Sequence, residues 1–130
     1  MSTEDRLVGD DGRPLRRGPD DRPPVALSRD VVFELLSCRR RRLALYHLVD
    51  AESPVDFDDL VSRIVDWETG SLAPPRDHER TVSTALHHRH LPRLAEAGVV
   101  RYDADAGEIH YRPSPRLEES LADQRDDDLP

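Results

Sequence analysis

Arg80, Ser83, Thr84, His87 and His88 are spaced so that a single helix would carry them along its polar side. An arginine on such a face can offer two hydrogen bonds to a guanine edge, while serine and threonine hydroxyls mostly hold phosphate oxygens. The competing reading is a solvated helix face, because Asp77–His90 is not strongly basic.

A second cluster is the run Arg39-Arg40-Arg41-Arg42. Consecutive helical positions turn by about 100°, so these side chains fan around the axis and form no flat patch. Exposed cations at a helix start oppose its dipole by about 0.3–1 kcal/mol each. Acids such as Asp30 and Glu34, or a phosphate backbone, are expected to offset this. One or two of the arginines should pack against the core and the others pair or touch phosphate. Arg39 and Arg40, with Arg101 and Arg112 further along the chain, are the candidates for backbone contact.

Other chemistry is weakly supported. His78, His87, His88 and His90 invite zinc, but nothing in their spacing defines a tetrahedral set, so no metal is expected. His90 reads instead as a partly buried helix residue. Cys38 is the only cysteine, which excludes an intrachain disulfide and a cysteine-only zinc site. Trp67 is expected to pack the following loop onto the domain rather than stack on a base. No Ser-His-Asp, paired-carboxylate or Gly-rich phosphate pattern has a persuasive context, so neither an enzyme nor a cofactor is expected.

The elements that must position these residues follow from the apolar spacing. Ser28 is a good N-cap for a first helix over about Arg29–Ser37, and a second runs from the arginine run to Asp50–Ala51. Val55 suits a short strand. Asp56 then caps a third helix with Phe57, Leu60, Val61, Ile64 and Val65 on one face. Gly70–Arg76 is a loop, Asp77 opens a fourth helix, and Pro92 should kink or restart it. After Gly98, Val99–Tyr102 and Glu108–Tyr111 alternate as a hairpin with Asp103 and Asp105 at its tip. The expected fold is mainly α with a small β wing, in winged helix-turn-helix order. Residues 28–112 form the domain, 1–27 a disordered N-terminal arm, and 113–130 an acidic disordered tail. A short helix over Leu117–Gln124 is conceivable, though nothing in it demands burial.

Composition agrees with one domain and polar ends. The 130 residues are 36% hydrophobic and 35% charged, with net charge −8 and mean hydropathy −0.72. Every basic residue other than histidine is arginine, and aspartate outnumbers glutamate by 18 to 9. Aspartate surplus without lysine points to a cytoplasm of high salt, where acidic repulsion is screened. An acidic protein of a GC-rich bacterium is the alternative. No apolar run approaches a membrane span and Met-Ser-Thr-Glu-Asp does not open a signal peptide, so a cytoplasmic protein without membrane contact is expected.

The segment from Leu35 through the arginine run to Leu45 resembles the start of the second helix in ArsR-type transcriptional regulators. The phrase His90-Leu91-Pro92-Arg93-Leu94-Ala95-Glu96-Ala97-Gly98-Val99-Val100 resembles the end of their recognition helix and its exit into the wing. Residues 28–112 are especially similar to an uncharacterised winged-helix family of haloarchaea, which shares the arginine run, Trp67-Glu68 and His90-Leu91-Pro92. The loop around Asp66–Asp77 is longer than a tight helix-turn-helix connection, and no cysteine pair marks a metal sensor. The resemblance implies a DNA-binding transcriptional regulator, acting on double-stranded DNA as a homodimer, with the fourth helix in the major groove. Helix one and the tails are the expected dimer elements. The acidic wing tip keeps a second class open: a winged helix that binds a protein partner and no DNA.

Overall fold

The computed structural model describes residues 23–70 and 73–129. Helix α1 (Arg29–Leu35) starts where the Ser28 hydroxyl accepts the Val31 N–H at 3.1 Å. After a short turn, α2 (Arg39–Asp50) carries the arginine run in its first turn. Strand β1 (Val55–Asp56) leads directly into α3 (Phe57–Thr69), whose Asp58 and Asp59 N–H groups donate to the Asp56 carboxylate at 3.1 and 3.2 Å. Asp56 therefore caps α3 as the sequence predicts.

Helix α4 (His78–Ala85) runs without a break through a π-helical turn (Leu86–His90) into α5 (Leu91–Glu96). The irregularity expected at Pro92 thus falls one turn earlier. Widening the helix ahead of proline is one way to accommodate its missing N–H. Gly98, at φ +83°, ends α5 in the left-handed region, and its N–H donates to the Ala95 carbonyl at 3.0 Å.

Strands β2 (Val100–Asp103) and β3 (Glu108–Tyr111) form the hairpin, and β1 pairs with the other side of β3. The antiparallel sheet has the order β1-β3-β2, with Ile109 standing between Val55 and Tyr102. Ile109 is fully buried against a core drawn from every helix through α6, including Leu35, Leu43, Leu60, Ile64, Val82, Leu86, Leu94 and Leu117. The architecture is mainly helical with a small three-stranded antiparallel sheet.

The C-terminal segment departs from expectation. Residues 113–130 were expected as a disordered tail, yet they hold α6 (Pro115–Ala122) and α7 (Arg125–Asp128). Leu117 and Leu121 lie one helical turn apart and are both buried, so a single apolar stripe docks α6 while its charges face outward. The tail's acids are partly consumed internally, Glu118 accepting the Tyr111 hydroxyl at 2.7 Å and Asp128 lying buried. At the other end, residues 23–28 have no regular structure, but the Val25 N–H donates to the Pro113 carbonyl at 2.9 Å. The rest of the expected N-terminal arm, residues 1–22, lies outside the described residues.

Candidate nucleic-acid interface

The candidate recognition residues share one helix surface. Arg80, Thr84, His87 and His88 are exposed and Ser83 is half-buried, while Val82 and Leu86 on the opposite side are fully buried. Their neighbours are mostly acidic. Arg80 and Ser83 line an open depression together with Asp58, Arg76, Asp77 and Glu79. Asp77 directs no side-chain bond to the helix start; its carbonyl instead accepts both the N–H and the hydroxyl of Thr81.

His87 joins this surface to the wing. Its Nδ1 lies 3.0 Å from the Tyr102 hydroxyl, and the Tyr102 ring stacks on Phe57 at 5.8 Å between centroids. The His87 ring meets both aromatics edge-on. Three elements are tied by this cluster: the first turn of α3, the π turn and β2. Sequence reading nominated His87 but missed Phe57 and Tyr102, because an aromatic at a helix start and one in a strand carry no shared spacing. The acidic wing tip also has a structural reason in part, since the Asp103 carboxylate accepts the Ala106 N–H at 3.2 Å and shapes the turn.

The arginine run resolves into four separate fates. Arg41 is buried, donating to the carbonyls of Glu34 and Leu35 at the end of α1, and its guanidinium lies 3.5 Å from the Glu34 carboxylate. Arg40 makes a two-pronged pair with Glu68 at 2.7 and 2.8 Å. Arg42 makes another with Asp128 at 2.7 and 3.1 Å. Arg39 is half exposed and donates to the Asp128 carbonyl at 3.1 Å. Glu34 is thus an offsetting acid as expected. Glu68 and Asp128, distant in sequence, do most of the offsetting. As candidate backbone contacts, Arg39 and Arg40 therefore already serve internal acids. Of the other pair, Arg101 is exposed, and Arg112 is half-buried with its Nη2 donating to the Pro23 carbonyl at 3.3 Å.

Glu68 also positions α4. Its carboxylate lies 2.9 Å from the His78 Nε2, so one acid near the end of α3 holds the starts of both α2 and α4. Burial pushes its carboxyl up, but the hydrogen bonds and charges of Arg40 and His78 outweigh burial and hold it below its ordinary value. The half-buried Trp67 beside it packs against the core, with Arg63 over its ring at 5.7 Å.

The histidines are divided among these contacts. His90 is buried with the Arg41 Nε donating to its Nδ1 at 3.4 Å; burial first, and the nearby arginines second, push its pKa down to about 4. His90 is more deeply enclosed than the sequence suggests, and it is a neutral acceptor in the core. Among the described residues, no group of three or more His, Cys, Asp or Glu side chains is placed to hold a metal ion. No helix among them is long and apolar enough to cross a membrane.

The family model of a domain of unknown function (DUF7344) matches residues 33–110. That span runs from within α1 to within β3 and leaves out α6 and α7. No curated protein and no solved structure matches the chain.

Proposed function

The chain belongs to the DUF7344 domain family, and we propose that residues 28–112 form a winged helix-turn-helix that binds double-stranded DNA as a transcriptional regulator. One observation carries this reading. The exposed row Arg80, Thr84, His87 and His88 lies on a helix that follows α3 and precedes a two-stranded hairpin, in a sheet ordered β1-β3-β2. In such an arrangement the N-terminal half of α4 enters the major groove. Arg80 then reads a base edge, Ser83 and Thr84 hold phosphates, and Arg101 and Arg112 flank the wing for backbone contact. A homodimer through α1 would present two such helices to two half-sites, and Phe33 of α1, 79% exposed, is the apolar side chain available for that contact.

The internal pairing of Arg39, Arg40 and Arg42 leaves few cations for phosphates. Affinity should then fall only gently with salt, with a log–log slope of about −1 to −3. Selection from random duplexes in molar KCl tests the reading. An enriched motif supports it, and a folded protein that enriches none overturns it. Arg80→Ala should relax base preference and Thr84→Ala should weaken binding evenly across sequences, neither lowering the melting temperature; unchanged motif and affinity in both would remove α4 from the interface.

A second reading is favoured by the acids around the same surface. Asp56, Asp58, Asp77, Glu79, Asp103 and Asp105 are all exposed there. They suit a basic protein partner, making the domain an interaction module in a haloarchaeal regulatory pathway, and a selection without a motif would favour it.

A further inference from the structure

We propose that Arg39, Arg42 and Tyr46 form an oxyanion-binding site which α7 fills with its own carboxylate, and which a phosphate group occupies when α7 lifts away. Donors from two turns of α2 converge on Asp128. The Arg42 Nε and the Tyr46 hydroxyl each donate to one carboxylate oxygen at 2.7 Å, and the Arg42 Nη2 donates to the other at 3.1 Å. Arg39 adds a guanidinium 3.8 Å away. The site is held in shape without its occupant, because the Arg42 Nη1 donates to the Leu36 carbonyl at 2.8 Å and Tyr46 is buried. A forked guanidinium with a hydroxyl beside it is the donor set that suits a phosphate oxygen pair. Emptied, the site would leave the Tyr46 hydroxyl and the Arg42 Nε and Nη2 without their carboxylate acceptor, a state that favours recapture of an anion.

The occupant is detachable on physical grounds. Helix α6 is anchored by Leu117 and Leu121, whereas α7 is four residues long and has little stability of its own. Besides Asp128, α7 is held by Arg125, which pairs with Asp50 at 2.7 Å on an exposed edge and lies over the Tyr46 ring at 5.6 Å, and by the half-buried Leu129. Opening of α7 alone therefore costs less than unfolding α6. The matched family domain contains Arg39, Arg42 and Tyr46 but stops before α7, so the site lies inside the domain and its plug outside.

This inference is independent of the DNA-binding reading. The test compares the full chain with its Asp128→Ala variant, measuring melting temperature in inorganic phosphate against sodium chloride of equal ionic strength. Asp128→Ala should gain several degrees from phosphate and the unaltered chain much less, since only its open fraction binds. Adding Arg42→Gln to Asp128→Ala should abolish the gain. No gain, an equal gain in the unaltered chain, or a gain that survives Arg42→Gln overturns the proposal. If Asp128→Ala does not fold, Asp128→Asn, which keeps an acceptor for Tyr46 but loses the charge, carries the same comparison. A duplex DNA arm separates the sources. Tighter duplex binding by Asp128→Ala, lost with Arg42→Gln, assigns a polynucleotide phosphate, and phosphate stabilisation without it assigns the free ion.

Discussion

Replacing Glu68 by glutamine tests whether α4 is held in place by one acid. The substitution keeps the side chain's shape but removes the charge that Arg40 meets at 2.7 and 2.8 Å and His78 at 2.9 Å. It also turns one acceptor oxygen into a donor facing donors. The side chains of Glu68, Arg40 and His78 are 11%, 25% and 21% exposed, between the surface and interior cases. Exposed pairs contribute about 0–1 kcal/mol, and breaking a buried pair costs about 3–5 kcal/mol, so Glu68→Gln should cost about 2 kcal/mol. That corresponds to a melting temperature lower by roughly 8 °C for a domain of this size. The carboxyl of Glu68 lies below its ordinary value of 4.5 in the folded protein, so its contribution is complete above that value. It is lost as pH falls through the lower folded value. Thermal melts followed by far-ultraviolet circular dichroism at neutral pH and across the acid limb give both numbers. The gap between the two proteins should close in acid. A gap under about 0.5 kcal/mol at neutral pH, the size of an ordinary surface change, would refute the reasoning, as would one that persists unchanged in acid.

Two further outcomes follow from buried groups. His90 is held neutral, with a pKa pushed from 6.5 down to about 4, so an unfolded chain takes up a proton across that interval and the folded one does not. Stability from this group is therefore lost as pH falls from 6.5 to about 4, and His90→Gln should flatten the urea midpoint against pH in that window; parallel profiles would contradict it. Leu117→Ala should cost about 2–5 kcal/mol in urea unfolding, because it opens a cavity beneath α6. A loss of only a few tenths would mean that the C-terminal segment is not part of the core.

Much of the domain was legible in local pattern. Ser28 and Asp56 announced the starts of α1 and α3, the stripe Leu60, Val61, Ile64 and Val65 announced the buried face of α3, and the alternation after Gly98 announced the hairpin. Caps, periodicity and turns are properties of neighbours along the chain, so spacing alone reports them. The candidate helix face was equally legible, since exposure of Arg80, Thr84, His87 and His88 follows from burial of Val82 and Leu86. The tail was not. Leu117 and Leu121, in a tail with six acids, read as solvated until α1 and α2 supply a surface for them to cover.

The arginine run marks the boundary most clearly. From sequence alone, four adjacent cations at a helix start must fan out and must find compensating charge. Which acids compensate them is a matter of tertiary structure. Arg40 meets Glu68 across 28 positions and Arg42 meets Asp128 across 86, distances over which chain spacing carries no geometric information. Packing α3 and α7 against α2 brings those carboxylates to the arginines. Arg40 and Arg42 are thereby committed to internal acids, whereas Arg80 and Arg101 stay exposed.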